Sequence, residues 1–151
     1  MQSCYRDLIA VDVEAKDAEE AIRKVGALLE KGGYVKDTYV DAVAKRETEF
    51  PTGLILKDIQ VAMPHTAGVH VNKPAVCIAK LAQPVRFAHM GDPDTPVDAT
   101  LLFMMAIKNP DEQVETLQAV MGVFTNAEAV AALKAAKTED ELFAAAQKYI
   151  G

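Results

Sequence analysis

Apolar and polar positions alternate along this chain at two different periods. The run Leu8-Ile9-Ala10-Val11-Asp12-Val13 predicts a strand, and Ala18, Ala21, Ile22, Val25, Leu28 and Leu29 then recur at the three- and four-residue steps of one helix face. Asp17 followed by Glu20 resembles a capping box for that helix, and Gly32-Gly33 supplies its stop. A second helix is expected from near Asp37, with Val40, Val43 and Ala44 facing inward and an end around Arg46-Glu47, before Pro51 and Gly53 break the pattern.

The middle of the chain reads as extended. Candidate strands lie at Gly53-Leu56, Ile59-Met63, Val76-Leu81 and Val85-Phe87, followed by the turn-rich Gly91-Asp92-Pro93-Asp94-Thr95-Pro96. The unbroken hydrophobicity from Val97 to Ile107 then predicts a central strand buried on both faces. Three helices close the chain. Pro110-Asp111-Glu112 opens the first, with Val114, Leu117, Met121 and Phe124 expected inside; Asn126 caps the second, and Thr138 with Glu141 boxes the third. This order of elements implies an α/β sandwich with helices on both faces.

Composition narrows the classes of function. At 151 residues and 50% hydrophobic, the chain suits one domain over 1–151 with a sizeable core. Two cysteines with no CxxC pair, and no secretory leader at the N-terminus, suggest a reduced, cytoplasmic protein. No apolar stretch approaches the roughly 18–20 residues that span a bilayer, so membrane insertion is not expected. A net charge of −6 without a Lys/Arg cluster offers no footprint for nucleic acid, although it suits a basic protein partner. No GxGxxG or GxxxxGK[ST] loop is present to cradle a nucleotide, and no cofactor is expected.

The candidate chemistry centres on Met63-Pro64-His65-Thr66, at the end of an apolar run. A histidine there stands at the mouth of a sheet behind a proline of fixed φ, with one ring nitrogen free to act as a nucleophile. Alternatives are scarce: the lone serine is Ser3, and Cys77 sits in an apolar strand with no neighbouring cation, as a small buried hydrophobe would. Taken alone, His65 also fits a structural role, its ring bonded to a carbonyl at a strand end. Arg46, delivered by the last turn of the second helix, changes that balance, because its planar fork of donors suits phosphate oxygens; its plain reading is a solvated helix-end charge. His65 and His70 have His-x4-His spacing, but no Cys, Asp or Glu nearby completes a zinc set, and no metal is expected. His89 precedes the turn-rich loop and is expected to be exposed, while the methionines, Met104 and Met105 among them, read as core filler.

The stretches AKRETEFPTGL, IQVAMPHT, PAVCIAKLAQPVRF and MGDPDTPVDATLLFMMAIKNPDEQ together resemble the enzyme IIA domains of the phosphoenolpyruvate-dependent sugar phosphotransferase system, fructose/mannitol superfamily. Within it, PHT followed by HVNKPAV and MGDPDTPVDA is most similar to the galactitol-type proteins. The resemblance implies a single domain with a mixed sheet of about five strands between helices. It also implies that His65 takes a phosphoryl group through Nε2 from the phosphocarrier HPr and passes it to a cysteine of a cognate IIB protein. The IIB protein would then phosphorylate galactitol or a related polyol as the IIC permease imports it. Arg46 matches the family's active-site arginine. Mannitol-type domains carry a second active-site histidine early in the helix after the long strand, where this chain has Gln113. Either Gln113 serves as a phosphate donor group or His70 substitutes from the neighbouring loop. A second reading is a nitrogen-type regulatory IIA, phosphorylated on the same histidine but acting by docking.

Overall fold

A computed structural model describes residues 4–150; Ser3 lies outside them. A single five-stranded sheet carries the architecture, with strands β1 (Cys4–Val13), β2 (Gly53–Ile55), β3 (Gln60–Ala62), β4 (Ala75–Ala88) and β5 (Pro96–Ala106). Their spatial order is β1-β4-β5-β3-β2. β1 runs parallel to β4 and β3 parallel to β5, whereas β4–β5 and β2–β3 are antiparallel. The sheet is therefore mixed, with β5 at its centre.

Helices α1 (Ala18–Lys31) and α2 (Tyr39–Glu49) cover one face. The other face carries α3 (Pro110–Phe124), α4 (Ala127–Ala135) and α5 (Glu139–Tyr149). The two-residue period of β5 explains its unbroken hydrophobicity: Leu102, Met104 and Ala106 point into the α1/α2 core, and Leu101, Phe103 and Met105 into the α3/α4/α5 core. Each of the leucine, methionine and phenylalanine side chains, fully withdrawn from water, contributes about 1.5–3 kcal/mol. The expected caps are in place, since the side chains of Asp17, Asn126 and Thr138 accept from the first-turn amides of α1, α4 and α5.

Several expectations need correction. The first strand begins four residues earlier, at Cys4, and α2 runs on to Glu49, with Arg46 in its last turn as expected. Val76–Leu81 and Val85–Phe87 belong to one strand, β4, whose pairing with β5 shifts register between Lys80 and Val85. Pro84, lacking an N–H, falls in that interruption, where no ladder bond is forfeited. The inward face of α3 is also rotated. Thr116, Val120 and Val123 are buried, whereas Val114 is 58% and Met121 40% exposed; Leu117 and Phe124 pack only partly. Apolar residues occupy two faces of that helix, and contact with the sheet selects between them. His89 is half-buried, its Nδ1 accepting from the Gly91 amide at 2.9 Å.

Candidate active site

β3 and β5 run parallel, and their carboxyl ends bring the Pro-His segment beside the loop that leads into α3. After β3 the chain stays alongside β5: the Met105 N–H donates to the Pro64 carbonyl at 3.0 Å, and His65 bridges to Met105. Pro64 has no N–H to leave unpaired in this partly closed ladder. A hollow of about 140 Å³ opens there, lined by His65, Thr66, Ala67, Gly68, Ile107, Lys108, Asn109 and Gln113. Clefts beyond the carboxyl ends of strands are the usual binding places of open α/β sheets.

The His65 ring is half-buried, with Nδ1 2.8 Å from the Met63 carbonyl oxygen. A carbonyl only accepts, so this contact requires the proton on Nδ1 and leaves the lone pair on Nε2. Burial pushes the His65 pKa below the ordinary histidine value; the Met63 carbonyl opposes the shift, and the positive charge of Arg46 adds to it. The ring is thereby held neutral and singly oriented, the state in which an imidazole is a nucleophile.

Arg46 comes from the last turn of α2 and stacks its guanidinium 5.0 Å from the centre of the Phe50 ring. Its Nε is buried and has no hydrogen-bond partner among the described residues, and Arg46 is not one of the residues that line the hollow. Next to it, Glu47 turns inward. Its Oε2 accepts from the Thr52 amide at 2.8 Å, and its Oε1 and Oε2 accept from the Thr52 hydroxyl at 2.8 and 3.1 Å. Burial raises the Glu47 carboxyl to about 7, against the Thr52 bonds and the charge of Arg46, which pull it down.

Gln113, exposed in the first turns of α3, lines the same hollow as His65. His70 does not. It ends a 3-10 turn over Gly68–His70, where its Nδ1 lies 2.7 Å from the Thr38 hydroxyl and its carbonyl accepts from the Lys36 amide at 2.8 Å. That pairing ties the turn to the start of α2, away from the hollow. Cys77 is fully buried, its thiol pKa raised by desolvation. Among the described residues no three His, Cys, Asp or Glu side chains form a group that could hold a metal ion. No single described helix is long and apolar enough to cross a membrane.

Sequence reasoning passed over Thr52, Lys108 and Gly68. Gly68 packs so closely on the Lys108 carbonyl that a Cβ there would overlap it, which seats the 3-10 turn against the loop before α3. Nothing in the one-dimensional pattern signals that approach, because the two segments meet only when β3 and β5 pair. Thr52, a buried polar residue 4% exposed, carried a faint signal as a threonine beside the glycine that starts β2.

A histidine whose Nε2 is left free, beside a hollow at the strand ends of a three-layer α/β fold, is an arrangement that suits group transfer. Comparison with known proteins supplies the particular family. Residues 2–149 match the family described as phosphoenolpyruvate-dependent sugar phosphotransferase system, EIIA 2, and the chain belongs to it. As an enzyme IIA it is a phosphotransferase component. It is 30% identical over 106 residues to the galactitol-specific EIIA component of Escherichia coli K12, covering 70% of each chain. To the mannitol-specific enzyme IIA component of Geobacillus stearothermophilus it is 29% identical, over 91% of this chain and 90% of that one. Among solved structures it resembles the E. coli mannitol enzyme IIA in complex with phosphorylated enzyme IIB (27% identity, TM-score 0.72, covering 91% and 93% of the two chains).

Proposed function

We propose that this chain, as a single domain, is a cytoplasmic phosphohistidine carrier that accepts a phosphoryl group from HPr on His65 Nε2 and donates it to the cysteine of a cognate IIB protein. The observation that carries this reading is the bond from His65 Nδ1–H to the Met63 carbonyl, which leaves Nε2 as the nucleophilic nitrogen beside a hollow. In the first transfer the Nε2 lone pair forms the new N–P bond while the donor's N–P bond breaks and its electron pair returns to the donor imidazole. In the second, a IIB thiolate attacks the phosphorus and the pair in the His65 N–P bond returns to Nε2.

The charge that spreads over the phosphoryl oxygens in the loose transition state needs fixed donors. The Arg46 guanidinium is the main one. The Gln113 amide contributes a neutral hydrogen bond, and it is preferred over His70 because it borders the hollow. The N-terminus of α3, capped by Asn109 and beside Lys108, adds positive potential on the same side.

Galactitol or a related polyol is the transported substrate this reading favours, on the strength of the galactitol-specific relative. Labelled phosphoenolpyruvate, enzyme I and HPr should phosphorylate the wild-type protein and leave His65→Ala unlabelled. A labelled His65→Ala protein refutes the assignment. Onward transfer to a galactitol IIB, compared with a mannitol IIB, tests the substrate class, and failure to pass the group to any sugar-specific IIB would favour a regulatory role instead.

A further inference from the structure

Behind His65 lies a second tier of hydrogen bonds that the phosphoryl-transfer reading does not use. The Met63 N–H, one residue before the proline, is shared between the Thr52 carbonyl at 3.3 Å and the Thr52 hydroxyl oxygen at 3.2 Å. Thr52 in turn gives both its amide and its hydroxyl proton to the Glu47 carboxylate. In its ionised form, which prevails above about pH 7, the Glu47 carboxylate accepts and cannot donate, so the Thr52 hydroxyl proton is then committed to Glu47 and its oxygen is left as an acceptor for Met63. On the other side, the Pro64 carbonyl is held by the Met105 amide. The peptide chain is thus anchored before and after the Met63 carbonyl, which orients the imidazole.

We infer that Glu47 and Thr52 are positioning residues for His65: by fixing the direction of the Thr52 hydroxyl they hold Met63 so that its carbonyl selects the Nδ1–H tautomer and keeps Nε2 free. The inference rests on the reading of His65 as the nucleophile. A purely structural staple between the end of α2 and the start of β2 would account for the Glu47–Thr52 bonds. It would not require that the hydroxyl oxygen point back at Met63. Retention of a buried carboxylate whose ionised form is disfavoured by desolvation also fits a positioning role better than a staple, which a neutral side chain could supply.

The test compares Thr52→Val, which keeps the branched shape and removes the hydroxyl, with Thr52→Ser, which restores it, both in the full chain. Ring nitrogen chemical shifts of His65 in the unphosphorylated protein report its tautomer. The expected result for Thr52→Val is a mixture of tautomers and a transfer rate constant from HPr lowered about tenfold to a hundredfold, the scale of a small misplacement, with KM for HPr unchanged. Thr52→Ser should recover both. Glu47→Gln, which puts an NH2 donor in place of one of the two carboxylate oxygens that accept from Thr52, should shift the tautomer in the same direction and provides the reading if Thr52→Val does not fold. A single Nδ1–H tautomer and wild-type rate in the folded variants, or a Thr52→Ser protein as slow as Thr52→Val, overturns the inference. Because the tautomer is read without phosphorylation, it judges positioning separately from the labelling of His65→Ala, which judges the nucleophile.

Discussion

Replacing Glu47 by Gln should change how stability depends on pH, and the direction follows from its surroundings. Burial raises the folded-state pKa from 4.5 to about 7, so the folded protein holds a proton on Glu47 through a range where the unfolded chain has released it. The contribution of this group to stability is therefore full below about pH 4.5 and is lost as pH rises toward 7. At ~1.4 kcal/mol per pH unit, the whole loss is roughly 3 kcal/mol. Glutamine is neutral throughout and has no such dependence. Urea unfolding of the wild type and of Glu47→Gln between pH 4.5 and 8 measures it directly, as the stability difference between the two proteins at each pH. His65, with its lowered pKa, acts in the opposite sense, losing stability as pH falls, but it is present in both proteins and drops out of the difference. The wild type should lose ground to the variant by roughly 3 kcal/mol as pH rises across this window. A difference constant to within about 0.5 kcal/mol, or one that favours the wild type increasingly at high pH, refutes the argument that desolvation dominates at Glu47.

Two further outcomes bear on the site. Because burial and Arg46 hold the His65 pKa below the ordinary 6.5, the decline of phosphoryl uptake on acidification should have its midpoint below pH 6.5; a rate profile with its midpoint at or above 6.5 contradicts this. Gly68→Ala places a Cβ against the Lys108 carbonyl, so the loop before α3 must move away; the expected effects are a loss of about 1–3 kcal/mol in stability and slower transfer through displacement of Gln113, checked by denaturation and by single-turnover labelling. Unchanged stability and rate would show that the loop yields freely.

Much of the architecture was legible because it rests on short-range pattern. The uniform apolar run of β5 announces a strand buried on two faces, and the caps Asp17, Asn126 and Thr138 mark helix starts, since a side-chain oxygen and the amide it satisfies lie within three residues. Pattern failed where two solutions are locally equivalent. The apolar residues of α3 satisfy either of two inward faces, and only packing into the core shared with β5, α4 and α5 makes Val120 and Val123, not Val114 and Met121, the buried ones. In β4, Gln83-Pro84 looks like the end of one strand and the approach to another. The chain instead continues through a register shift because β5 is long enough to pair on both sides of it.

For the site, sequence by itself supplied the residues whose chemistry is intrinsic. His65 carries a nitrogen nucleophile, Arg46 a permanent cation and Gln113 a neutral donor wherever they lie, and the Pro-His step places the imidazole after an apolar run. Tertiary structure decided what is relational. It set His65 Nδ1 on the Met63 carbonyl, left Arg46 Nε without a partner, separated His70 from the hollow by pairing it with Thr38, and buried Glu47 against Thr52. The His65–Met63 and Glu47–Thr52 bonds join residues close in sequence, but the backbone course that aligns them and the burial around them come from segments far apart in the chain, which meet only once β3 pairs with β5 and α2 packs across the sheet.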